Sequence, residues 1–83
     1  MKTVIFDIDG TIAVIDHRRK YLERTPPDWK KFNDQMGEDT PNTPIVSLYK
    51  ALWDTKSFNL FLVTGRNEKY RNITEQWLSL IHI

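Results

Sequence analysis

The 83-residue sequence predicts a single α/β unit in the order strand, insertion, helix, strand, helix, with a parallel βαβ sheet at its centre. Three observations carry that expectation. Thr3-Val4-Ile5-Phe6 and Phe58-Asn59-Leu60-Phe61-Leu62-Val63 are apolar runs of strand length, and they read as strands buried on both faces. Each run leads into a polar turn that holds one of only three glycines, Gly10 or Gly65. All four prolines, Pro26, Pro27, Pro41 and Pro44, fall between the runs and mark an irregular insertion.

The elements follow in chain order. Asp7-Ile8-Asp9-Gly10-Thr11 ends the first strand, because two acids and a glycine do not continue a buried one. Ile12 to Asp16 is short and mixed, as a small ribbon would be. His17 to Arg24 allows a helical turn or two before Thr25-Pro26-Pro27 stops it. Asp28 reads as an N-cap and Gly37 as the stop; Trp29 and Phe32 could stack on bases, but at helical spacing with Met36 they read rather as the insertion's own core. Asp39 to Asn42 reads as loop. Thr43-Pro44 starts a helix, since proline at the first position gives up a hydrogen bond that was unavailable anyway. Its apolar stripe is Ile45, Leu48, Tyr49, Leu52 and Trp53. A final helix over Glu68 to Leu78 places Tyr70, Ile73, Thr74 and Trp77 on one face.

Composition excludes several classes of function. At 40% hydrophobic and 12% aromatic residues the chain is not of disordered type. No apolar run approaches the roughly 18 residues of a membrane span, and the start carries no signal-peptide pattern, so a cytoplasmic protein is expected. The absence of cysteine excludes disulfides, thiolate metal sites and cysteine nucleophiles. No glycine-rich Walker loop is present, so the chain itself is not expected to be a kinase. The net charge of +1 is uninformative, but its distribution is not. His17 to Lys31 holds six basic residues (Arg18, Arg19, Lys20, Arg24, Lys30, Lys31) against Glu23 and Asp28, and Arg66, Lys69 and Arg71 form a second cluster. Such clusters suit a polyanionic substrate.

Parallel strands bring their C-terminal ends to one rim, where open α/β sheets bind ligands. Asp7 and Thr64 are therefore expected to be neighbours. An ionised carboxylate such as Asp7 is a nucleophile that needs no activating base, but an anionic phosphate repels it. A divalent cation removes that repulsion, and magnesium suits carboxylate, carbonyl and water oxygens. The bend at Gly10 could wrap Asp9 towards a leaving-group oxygen as general acid and base. The N–H groups of the turn at Gly10 and Thr11 could cradle phosphate oxygens.

These residues resemble the motifs of the haloacid dehalogenase (HAD) superfamily. Phe6-Asp7-Ile8-Asp9-Gly10-Thr11 looks like its first motif and Phe61-Leu62-Val63-Thr64-Gly65 like its second. Asp16-His17-Arg18-Arg19, Pro27-Asp28-Trp29-x-x-Phe32, Pro41-Asn42-x-Pro44 and Val63-Thr64-Gly65-Arg66 narrow the resemblance to the phosphatase domain of polynucleotide kinase-phosphatases. The resemblance implies a Rossmann-like core with a flap insertion at 12–43. It implies Asp7 as nucleophile and Asp9 as general acid and base, with Mg2+ on the Asp7 carboxylate and the Asp9 main-chain carbonyl. Gly10, Thr11, Arg18, Thr64, Gly65 and Arg66 would bind the phosphate, most naturally a 3′-phosphate on a nucleic-acid or nucleotide end, and a kinase domain could accompany the parent protein. The alternatives are a phosphatase for small phosphorylated metabolites and a non-catalytic nucleic-acid-binding piece.

The family's third motif, a lysine, and its fourth, an acidic pair, are not found in this sequence, which is accordingly expected to be the N-terminal half of a larger domain and inactive alone. Leu78-Ser79-Leu80-Ile81-His82-Ile83 is also the translation of a transposase mosaic end, CTG TCT CTT ATA CAC ATC, and these six residues are expected to be non-native.

Overall fold

A computed structural model describes residues 1–83. Strand β1 (Lys2–Asp7) pairs in parallel with β4 (Phe58–Val63), from Lys2 opposite Phe58 to Asp7 opposite Val63. The connection between them holds a two-residue ribbon, β2 (Ala13–Val14) antiparallel to β3 (Thr40–Pro41). It also holds a 3-10 turn over Asp16–Tyr21, helix α1 (Trp29–Asp34), a second 3-10 turn over Met36–Glu38, and helix α2 (Thr43–Thr55). After β4 a 3-10 turn at Glu68–Tyr70 leads into α3 (Arg71–Leu80). The chain is thus a small α/β unit around a two-stranded parallel sheet.

Local chemistry explains most boundaries. Asp28 caps α1 by accepting the Lys31 N–H at 3.1 Å, and Pro44 sits in the first turn of α2. Gly10 takes φ +79, a left-handed conformation that side chains with a Cβ rarely adopt, and so turns the chain sharply after β1. The ribbon folds the insertion back onto the rim, and Asn42 fastens its far side through N–H to Ile12 O and Nδ2 to Thr11 O.

Burial differs from the reading of the sequence in several places. Phe6, Ile8, Ile12, Ala13, Val46, Tyr49 and Trp77 form the core on one side of the sheet. The other side is open: Ile5 is 62% exposed, Phe61 55% and Val63 45%. The two strands are therefore not buried on both faces, because helices cover only one. In α2 the buried positions are Val46 and Tyr49 while Leu48 is exposed. Trp53 stacks on Tyr49 at 6.5 Å but remains largely in solvent. Asp39 to Asn42, read as loop, contains β3, and Gly37 lies inside a 3-10 turn instead of ending α1. Trp29 is exposed, so the insertion's core is Tyr21 and Met36 without it.

Candidate active site

The turn after β1 and the turn after β4 meet at the C-terminal rim. Ile8 N–H donates to Val63 O at 3.1 Å, which extends the strand pairing by one step and brings Thr64 beside Asp9. Thr64 Oγ1 donates to Asp9 Oδ2 at 3.2 Å and accepts the Arg66 N–H at 3.1 Å. Arg66 reaches back with Nε at 3.1 Å and Nη2 at 2.8 Å from Asp9 Oδ1. Its remaining nitrogen, Nη1, donates to Thr74 Oγ1 at 3.0 Å. The two motifs expected to meet do meet.

Arg18 approaches from the insertion. Its Nη2 lies 2.8 Å from Asp9 Oδ1, while Nε and Nη2 grip both oxygens of Asp39 at 2.8 Å each. The Arg18 side chain is 1% exposed and that of Asp39 fully buried. Such a pair survives burial only if its geometry is good and its other polar atoms are satisfied. Both conditions hold: Asp39 also faces His17 Nε2 at 2.6 Å and Arg66 Nη2 at 3.4 Å, and no buried side-chain polar atom lacks a partner. Trp77 Nε1 donates to the Asp39 carbonyl at 2.7 Å and fixes the backbone beneath.

Asp9 is consequently held as an anion. Burial alone would push its carboxyl up, but Arg66 first and Arg18 second outweigh that and hold it below the ordinary value of 3.8.

The expected phosphate cradle at Gly10 and Thr11 takes a different form. Gly10 N–H donates to Ala13 O, Thr11 N–H to Ile8 O and Ile12 N–H to Asp7 O, so the turn closes on itself. Within residues 8 to 13 only the Asp9 N–H has no protein acceptor. Gly65 lines a cleft of about 290 Å³ together with Asp9, Arg18, Arg66, Trp29, Phe32, Asn33 and Asn67. Asp7 is not part of that lining. It shares the open sheet face with Ile5 and Val63, and its Oδ1 accepts only the Ile8 N–H at 3.0 Å.

For magnesium the donor chemistry fits in part. The Asp7 carboxylate and the Asp9 main-chain carbonyl are hard oxygens; the carbonyl accepts none of the turn's hydrogen bonds, and the carboxylate accepts only the Ile8 N–H, at Oδ1. Magnesium commonly takes one or two protein oxygens and fills its shell with water and substrate phosphate. The Asp9 carboxylate does not fit this role, because two guanidinium groups and a hydroxyl surround it. No group of three or more acidic or histidine side chains gathers on this chain.

Asp39, Thr74 and His17 were missing from the residues expected at the site. The signal that could have found Asp39 is electrostatic. Two arginines brought to one rim require a buried counter-charge, and Asp39 is the acid nearest the Pro41-Asn42-x-Pro44 motif.

Acid, hydroxyl and guanidinium groups thus converge at the C-terminal ends of parallel strands, the rim at which open α/β domains bind ligands. The family model of the polynucleotide kinase PNKP phosphatase domain matches residues 1–82, and the chain belongs to that family. No solved structure matches the chain significantly.

Proposed function

We propose that this chain carries the nucleophile half of a magnesium-dependent phosphomonoesterase acting on polynucleotide or nucleotide 3′-phosphate ends. The observation that supports it best is the convergence of Asp9, Thr64 and Arg66, from two motifs 55 positions apart, at the end of the strand that Asp7 closes.

Asp7 attacks phosphorus through a carboxylate oxygen while the ester P–O bond breaks. The leaving alkoxide takes a proton from Asp9. Water then attacks the aspartyl-phosphate, gives its proton to Asp9, and releases inorganic phosphate and the Asp7 carboxylate. The Asp7 carboxylate and the Asp9 carbonyl would hold magnesium, which would supply charge neutralisation between nucleophile and phosphate. Thr64 and the Asp9 N–H donate to phosphate oxygens. Arg66 holds Asp9 in the same two-pronged manner in which guanidinium groups hold phosphate. A phosphate entering the cleft competes for that fork. Once Arg66 turns to the phosphate, the larger of the two influences that hold the Asp9 carboxyl down is gone, and burial, which raises it, is opposed by Arg18 alone.

The intact domain would add the family's lysine and acidic pair and cover the open sheet face with further strands and helices. The test compares Asp7→Asn with the parent in the intact domain, using a 3′-phosphorylated oligonucleotide, a 3′-mononucleotide and a sugar phosphate at two salt concentrations. Hydrolysis should fall to background in Asp7→Asn, and affinity for the oligonucleotide should weaken with salt. Full activity in Asp7→Asn would end the aspartyl-phosphate reading. A preference for the sugar phosphate would move the assignment to a small-metabolite phosphatase.

A further inference from the structure

Trp29 is not explained by packing. It is the first residue of α1 and 59% exposed, in perpendicular contact with Phe32 at 5.9 Å. Phe32 carries the Arg18 guanidinium over its ring at 4.4 Å. Trp29 also forms a wall of two adjoining clefts. One, of about 290 Å³, is the cleft it shares with Asp9, Arg18 and Arg66. The other, of about 500 Å³, is lined by Lys30, Asn33, Asp34, Lys69 and Tyr70. Lys30 is tied to Asp34 at 2.9 Å, whereas Lys69 has no carboxylate partner and lies over the Tyr70 ring at 5.1 Å.

The order across this surface is cation, aromatic face, then cation with aromatic. A single nucleic-acid strand presents phosphate, base and phosphate in that order, and proteins bind such strands by pairing cations with the backbone and stacking aromatic rings on bases. A small sugar phosphate would use the first cleft alone and leave the second cleft, with Lys69 and Tyr70, idle.

We propose that Trp29 is the stacking platform for the base of the terminal nucleotide, and that the groove of Lys69 and Tyr70 receives the nucleotide behind it. This rests on the 3′-phosphate reading of the rim. It adds a specificity-determining residue and gives the strand a direction of exit, from the rim past α1 towards the start of α3.

The experiment measures binding by fluorescence anisotropy in the intact domain carrying Asp7→Asn, so that the ester survives. The probes are a labelled single-stranded oligonucleotide ending in a 3′-phosphate and the same strand with an abasic terminal residue. With Trp29 present, the base-bearing end should bind about 5- to 150-fold more tightly, the range that one base–aromatic stack supplies. Trp29→Ala should reduce that ratio to near one, and Trp29→Tyr should restore most of it. Lys69→Ala should weaken a dinucleotide or longer strand but not a 3′-mononucleotide. Unchanged discrimination in Trp29→Ala, or no discrimination with Trp29 present, would overturn the platform while leaving the phosphate site standing. Failure of both 3′-phosphorylated strands to bind would overturn the substrate reading and the platform together.

Discussion

Arg66 clasps the Asp9 carboxylate through Nε and Nη2 across 57 positions of sequence. This contact joins the turn after β1 to the turn after β4 and sets the charge state of the rim. It also makes the rim's stability depend on pH.

The Asp9 carboxyl is held below its ordinary value, so the sign follows from linkage. The native state binds its proton less readily than the unfolded chain, whose value is the ordinary 3.8. The stabilisation is therefore complete above about pH 4 and is lost as pH falls through the lower native value. Urea midpoints measured between pH 5 and 2 should fall more steeply for the parent than for Asp9→Asn. Parallel slopes would show that Asp9 is not held by the arginines in solution.

Arg18 and Asp39 are a buried pair, and removing one partner strands the other. Arg18→Ala and Asp39→Ala should each destabilise by about 3–5 kcal/mol. The double variant should cost clearly less than the two added together, since neither charge is then orphaned. Arg18→Lys should not rescue, because an ammonium cannot span Asp9 and both oxygens of Asp39. Chemical denaturation of the four variants decides it; strict additivity would argue against the pairing.

In the intact domain, Asp9→Asn should act selectively on leaving groups. A phosphate ester of a good leaving group needs little proton donation, whereas an alkyl ester needs it fully, so the rate loss should be larger for the alkyl ester by about 10- to 100-fold. If magnesium serves the reaction as proposed, a chelator should abolish turnover of both esters. An equal loss on both esters would remove Asp9 from the proton transfer.

Ile5, Phe61 and Val63 leave an apolar sheet face in water. The 83-residue chain should bind a hydrophobic dye and self-associate, and Phe61→Lys should reduce both with a stability change of no more than about 0.5 kcal/mol, as for other exposed positions. Sedimentation at two concentrations reads the effect. A monomeric parent with no dye binding would show that this face is closed in solution.

Asp7 to Gly10, Thr64 to Arg66, the Asp28 cap and the Pro44 helix start were legible in the sequence because each rests on local chemistry. A carboxylate capping its own helix, a proline at a first turn and a glycine at a turn need no distant partner. The parallel pairing of β1 with β4 was legible for a related reason: two apolar runs around a helix have few ways to pair. The exposure of Trp29, the place of Asp39 and the burial of Arg18 were decided only by the tertiary structure. In sequence Trp29 keeps helical spacing with Phe32 and Met36 and so resembles a core residue, but α1 ends at Asp34 and its single short stretch has no second layer to bury the indole. Asp39 is an ordinary polar residue until the β2–β3 ribbon folds it back beneath the rim, 21 positions from Arg18. Arg18, which the resemblance marks out among six basic residues in the insertion, is buried because that fold closes Asp9 and Asp39 around it, and a charge is buried only where the folded chain supplies its partners.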